Sequence, residues 1–208
     1  MTGLCSRRTL LTIAGAAAVS SITAAHAADG KTSKPAKRTW PDMPTVPTDF
    51  NAERCFVELQ DAGDGVVFQG PKNGPVVRLA FDTQCPWCVW QYEQLKPFLK
   101  QVTFIWHPVA VLNPWSELQG AAILSAKDRK AKFLEHEAHF HDKDFRGLDV
   151  RNVELPFDAR KKVWDYSKAF RRACGISVPF GVLKTTDGRY IPAVSYTHLR
   201  AHETRHDL

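Results

Sequence analysis

Apolar residues along the chain fall into two periods. Short runs of strand length occur at Val66–Phe68, Val76–Phe81, Val102–Trp106 and Phe180–Lys184. Ala52, Cys55, Phe56 and Leu59 recur instead at helical spacing, with Asp49 or Asn51 as the N-cap and Gly63-Asp64-Gly65 as the stop. Further helices are predicted from Cys85 to about Lys100, with Pro97 late in it, and from Leu118 to Ala126. The charged stretch Asp128–Asp144 is mostly helical, and a last helix runs from Arg160 to Cys174 with Gly175 in the C′ position. Pro71–Gly74 is a turn, Pro108 and Pro114 mark an irregular loop, and Arg189–Ala193 returns as a strand around the Asp187-Gly188 hairpin turn. Strand, helix, strand, helices and hairpin predict one α/β domain over residues 51–193, with a sheet that mixes parallel and antiparallel pairs.

The ends do not share this patterning. Residues 1–27 read as an export signal: Arg7 and Arg8 form the charged region, Leu10–Thr23 is short and mildly apolar, and Ala25-His26-Ala27 is a small-x-small cleavage site. Ser6-Arg7-Arg8-Thr9-Leu10-Leu11 resembles a twin-arginine signal, and an ordinary secretory signal stands as the alternative. Either route places the mature chain in the periplasm, where disulfides persist. Residues 28–50 are a flexible leader rich in lysine and proline. Residues 194–208 resemble a translated sequencing-adapter stretch, a tail foreign to the fold that stands where a C-terminal helix is expected; His198, His202 and His206 share one helical face there but lack partners that would orient them on a metal.

Composition narrows the class. The 208 residues carry 28 Lys+Arg and 22 Asp+Glu, a formal charge of 28 − 22 = +6, with 44% hydrophobic residues. Those are globular proportions. No apolar run reaches the roughly 18 residues of a membrane-spanning helix. The positive charge is spread, without a polybasic block, which argues against nucleic acid as a partner.

Cys85-Pro86-Trp87-Cys88 carries the candidate chemistry. It lies between a buried strand and a helix, so Cys85 sits where unpaired backbone N–H groups and the helix dipole stabilise an anion. The thiolate is the nucleophile, and a lowered pKa activates it at neutral pH. Pro86 pre-sets φ for the first helical turn. Cys88, one turn on, is placed to attack a mixed disulfide at Cys85 and release the client. Two other roles compete: half of a zinc site, which needs a second cysteine pair the sequence lacks, and a permanent structural disulfide. No metal and no cofactor is implied.

Phe81-Asp82-x-x-Cys85-Pro86-Trp87-Cys88, with Pro97 twelve positions after Cys85, resembles the thioredoxin-fold domain of the DsbC/DsbG group of periplasmic thiol–disulfide interchange proteins. Asn113-Pro114, Ala121-Ala122-Ile123-Leu124 with Lys127-Asp128, and Val178-Pro179 are also similar to that group, closest to DsbG. The resemblance spans roughly Gly63–Ala193 and implies a thioredoxin-like fold with a helical insertion. It implies a cis-proline at Pro179 beside Cys85, and a client site shaped by Val178, Pro179, Trp87 and Pro86. Asp82 matches the group's pattern and is expected to cap the turn before Cys85, with a catalytic base role as the weaker alternative.

Several positions depart from the group. Residues 28–49 are too few for the N-terminal dimerisation domain usual there, so a monomer is expected, and disulfide isomerisation, which uses the dimer's cleft, is not. Val178 replaces the usual threonine, as in DsbA, and Leu79 stands where thioredoxin carries a buried acid. The implied activity is a periplasmic oxidase or reductase of protein thiols, with cysteine-bearing clients and a membrane partner that recycles the pair. The alternative is a non-catalytic, chaperone-like binder whose CxxC is a structural disulfide.

Cys55 and Cys174 fall on apolar helix faces, and two separate buried thiols are expected ahead of a second disulfide. His136, His139 and His141 are expected on a solvated face, their spacing being wrong for a helical zinc pair. Trp90, Trp106 and Trp115 are expected in the core, and Trp87 at the border of an apolar groove.

Overall fold

The computed structural model describes residues 46–175 and 177–193; the export signal, most of the leader and the tail lie outside them. Asn51 starts helix α1 (Ala52–Ala62): its side chain accepts the Arg54 N–H at 2.8 Å. Strand β1 (Val66–Phe68) follows Gly65, which has φ +61° and no room for a side chain, since a Cβ there would lie 2.5 Å from the Trp106 carbonyl oxygen. Next come β2 (Val76–Phe81) and α2 (Pro86–Leu95). The predicted long helix is shorter: Lys96–Phe98 tightens to a 3-10 turn because Pro97 removes an N–H and crowds the preceding turn. The remaining elements are β3 (Thr103–Pro108), α3 (Pro114–Ser125), α4 (Arg129–Ala138), α5 (Phe157–Ala173), β4 (Phe180–Lys184) and β5 (Tyr190–Ala193).

The strands order as β1-β3-β2-β4-β5. Strands β2 and β3 run parallel, while the β1–β3, β2–β4 and β4–β5 pairs are antiparallel. The mixed α/β sheet is the one the sequence predicts. Central β2 sends Val77, Leu79 and Phe81 to one face, with Cys88, Tyr92, Leu95 and Phe133. It sends Ala80 to the other, with Phe56, Leu59, Val163 and Tyr166. Arg78 joins this second face: its guanidinium lies over the Phe56 ring and 3.2 Å from His107 Nε2. Burial, and then Arg78, hold His107 far below its ordinary pKa.

Phe133 ties the charged helix α4 to the first face. Its ring sits 5.2–5.5 Å from the rings of Phe68, Phe81, Tyr92 and Trp106. Truncating such a fully buried aromatic typically removes about 3–5 kcal/mol.

Three expectations need correction. Cys55 and Cys174 are joined in a disulfide, their Cα atoms 5.2 Å apart, because α1 and α5 pack side by side on the second face. His136 is fully buried rather than solvated, because it projects from the same side of α4 as Phe133; His139 and His141 are exposed as expected. Trp115 lies at the surface, edge-on to Phe145 at 5.1 Å, because it is the second residue of α3 and precedes the helix's buried run. Trp106 is core, and Trp90 is half-buried.

The disulfide closes a loop of 119 positions. Replacing both Cys55 and Cys174 with Ala is expected to lower the unfolding free energy by several kcal/mol, the chain-entropy limit being about 5 kcal/mol. Urea denaturation checks this, and a loss under about 1 kcal/mol contradicts it.

Glu137 supplies a pH dependence. Its Oε2 is buried without a partner, and burial, with Glu93 adding, raises its pKa from 4.5 to about 8. The unfolded chain releases this proton from about pH 4.5 upward while the folded chain holds it to about 8, so stability falls across that window as pH rises. Glu137→Gln is expected to match the wild type at pH 4 and to exceed it at pH 9 by a few kcal/mol, at about 1.4 kcal/mol per unit of raised pKa. Thermal melts at the two pH values decide it; a constant difference between variant and wild type contradicts the assignment.

Candidate functional site

The CPWC segment begins one short turn after β2. Cys85 is the N-cap of α2, with φ −91° and ψ 114°, and Pro86 occupies the first helical position. The Cys85 carbonyl accepts from the N–H groups of Cys88 and Val89 at 3.1 and 3.4 Å, so the helix starts at the cysteine itself.

Both cysteines are buried in one apolar cluster, yet their thiol pKa values move in opposite directions. The Cys85 thiol is held below its ordinary pKa, first by the Cys88 thiol bonding to it and then by the backbone N–H groups of Cys88 and Trp87; burial and Asp82 oppose this. Burial pushes the Cys88 thiol well up, and the bond to Cys85 raises it further. Leu79 packs in the same apolar cluster as Cys88. Among the described residues Cys85 and Cys88 are both free thiols.

Pro179 closes the site from the other side. The Val178–Pro179 bond is cis, the geometry implied by the resemblance. The Cys85 thiol donates to the Val178 carbonyl at 3.5 Å, so this backbone lies directly against the sulfur. Val178 and Pro179 are both half-buried. Trp87 is 42% exposed and edge-on to Trp90 at 6.1 Å.

Asp82 is 1% exposed and engaged at both oxygens. Oδ1 accepts from the Gln84 N–H at 2.8 Å and the Ser116 hydroxyl at 2.6 Å. Oδ2 accepts from the N–H groups of Val111 and Leu112 at 2.9 and 3.0 Å. Asp82 thus caps the turn before Cys85 and ties it to the loop leading into α3. Four bonds to a buried carboxylate suit a fixed anchor better than a mobile base.

Sequence reasoning missed Ser116 and the exposed Leu112. Asn113 accepts from the Trp115 N–H at 2.9 Å and, with Ser116, forms a capping box at the start of α3. Asn113-Pro114-x-Ser116 is an N-terminal helix signature, and that pattern was the available signal. The box sets Ser116 under Asp82. Asp82 in turn fixes the backbone of Leu112, which is 52% exposed. The described residues include no cluster of His, Cys, Asp and Glu able to hold a metal ion. None of their helices is long and apolar enough to cross a membrane.

No protein-family model and no curated protein matches the chain. Solved structures do. Proteus mirabilis ScsC in a transitional conformation gives a TM-score of 0.56 at 18% identity, over 75% of this chain and 80% of that one. A periplasmic thioredoxin-like protein from Salmonella enterica serovar Typhimurium gives 0.54 at 15% identity, over 77% and 97%. The thiol-disulfide exchange protein alpha-DsbA2 of Wolbachia pipientis gives 0.50 at 15% identity, over 74% and 96%. At these identities the likeness establishes architecture, and the architecture of this chain is thioredoxin-like.

Proposed function

We propose that the chain is an exported thiol–disulfide oxidoreductase that acts on protein cysteines through Cys85 and Cys88. The observation that carries this is the asymmetry of the pair. Both thiols are buried: one, at a helix N-terminus and against the Val178 carbonyl, has its pKa lowered, and the other, one turn behind it, has its pKa raised.

In the reducing direction the Cys85 thiolate attacks a client disulfide. A sulfur–sulfur bond forms to Cys85 and the client's second sulfur leaves as a thiolate. Cys88 attacks Cys85 Sγ as its proton passes to the client thiolate already released, and the first client sulfur is expelled. The Cys85–Cys88 disulfide forms, and two electrons have passed to the client. Oxidation of client thiols is the same sequence reversed. A stabilised Cys85 thiolate favours the reduced pair, which makes the disulfide form more oxidising.

The Salmonella neighbour is described as periplasmic and thioredoxin-like and the Wolbachia neighbour as a thiol-disulfide exchange protein, which supports this reading and periplasmic clients. The finer likeness to the DsbC/DsbG group rests on the residues around Cys85 and Val178, and supports placement beside that group. Oxidation or reduction of client cysteines is proposed ahead of isomerisation. A membrane redox partner would reset the pair. Val178, Pro179, Trp87 and Pro86 would receive the client strand, with Asp82 holding the turn.

Two measurements test this. In the reduced protein, iodoacetamide at pH 6 is expected to label Cys85 at least about tenfold faster than a free cysteine, while Cys88 stays unlabelled. Cys85→Ser is expected to abolish catalysed insulin reduction, and Cys88→Ser to accumulate a mixed disulfide at Cys85. Wild-type turnover in both variants would refute the assignment.

A further inference from the structure

Asp82–Cys85 is a β-turn: the Cys85 N–H donates to the Asp82 carbonyl at 3.0 Å. That closing bond leaves the central peptide, between Thr83 and Gln84, undetermined, because the two commonest turn types differ by a flip of it. Here side chains hold both of its ends. The Gln84 N–H donates to Asp82 Oδ1 at 2.8 Å. The Thr83 carbonyl accepts from His136 Nε2 at 2.9 Å.

His136 belongs to α4, in the helical insertion, and is 0% exposed. The Leu148 N–H donates to its Nδ1 at 3.3 Å, so the ring carries its proton on Nε2 and presents that proton to Thr83. Burial lowers its pKa to about 4, which keeps the ring neutral. The chain passes over the ring at Gly147, which has φ +74° and where a Cβ would lie 2.2 Å from His136 Cε1. Gln119 of α3 grips the next residue: the Gln84 side-chain amide donates to Gln119 Oε1 at 2.6 Å. Gln119 Nε2 donates in turn to the carbonyls of Arg146 and Leu148 at 2.6 and 2.9 Å. Arg146 closes the clamp by donating to the Gln84 carbonyl at 3.3 Å.

We propose that His136 and Gln119 are positioning residues for Cys85, locking the Thr83–Gln84 peptide so that the sulfur stays at the N-terminus of α2 and against Val178. The proposal rests on the redox reading of the site. Without the clamp the central peptide flips, the Gln84 N–H leaves Asp82, and the Cys85 backbone rotates the sulfur away from the helix N-terminus and Val178. The thiolate then loses its stabilisation although no residue that touches it has changed.

The test compares iodoacetamide labelling of Cys85 across pH in the full-length reduced protein and in His136→Leu, His136→Gln and Gln119→Met. His136→Leu and Gln119→Met are expected to slow labelling at pH 6 by about tenfold, as the profile moves up by about one unit. A side-chain amide both donates and accepts, so His136→Gln is expected to stay within about twofold of the wild type. Unchanged profiles in His136→Leu and Gln119→Met, whatever their melting temperatures, overturn the proposal. So does a His136→Gln variant as slow as His136→Leu. If His136→Leu does not fold, Gln119→Met decides: slowed labelling supports the clamp and an unchanged profile overturns it. The wild-type rate against free cysteine tests the redox reading, whereas the variant-to-wild-type ratio tests the clamp, so the two failures are distinguishable.

Discussion

A thiolate at a helix N-terminus is stabilised only while the sulfur faces the first free N–H groups, and those groups span a single turn. In this chain α2 begins at Pro86, and the sulfur belongs to the residue just before it. Phe81 ends β2, so three residues join strand to nucleophile. So short a link has no slack, and any rotation in it reaches Cys85 directly. The buried Asp82 carboxylate is the fixed point: its four bonds connect the end of β2, the turn and the approach to α3.

The two faces of the sheet support this link in different ways. The first face holds both sulfurs of the pair in an apolar cluster with Leu79, Tyr92 and Phe133. Low dielectric there raises the Cys88 thiol, while local N–H groups lower that of Cys85. The second face carries the Cys55–Cys174 disulfide, which fastens α1 to the end of α5. One cysteine pair is thus joined between helices, and the other stands as two free thiols just past a strand end. Position separates them: of these four cysteines only Cys85 is the N-cap of a helix.

Elements that follow from local chemistry were legible in the sequence. Short apolar runs mark the strands, Asn51 (or Asp49) and Gly175 mark helix ends, and the CPWC spacing places both thiols on one turn. Features that depend on distant parts meeting were not. Cys55 and Cys174 are 119 positions apart, and nothing local shows that α1 and α5 become neighbours. His136 lies in a run of charge that reads as solvated, yet α4 has one apolar side, and Phe133 turns that side inward and takes His136 with it. Trp115 looked like core by residue type alone, but the capping box at Asn113 leaves it at the mouth of α3. Pro97 stands late in the helix that the sequence predicts, and in the fold α2 ends at Leu95, just before it.

The helical insertion between β3 and β4 is more than a lid on the sheet. Its own packing depends on Phe133, whose ring meets aromatic residues from β1, β2, α2 and β3. That contact is apolar and non-directional, so it supplies adhesion but little orientation. Orientation comes from polar groups buried beside it, which are costly to leave unpaired and so admit few arrangements. His136, Gln119 and Ser116 are such groups, and each reaches back to Asp82, Thr83 or Gln84. The division explains why polar residues sit inside an insertion that would be more simply built from apolar ones. Replacing them with hydrophobic residues of similar size would preserve burial and lose the geometry of the turn that carries Cys85.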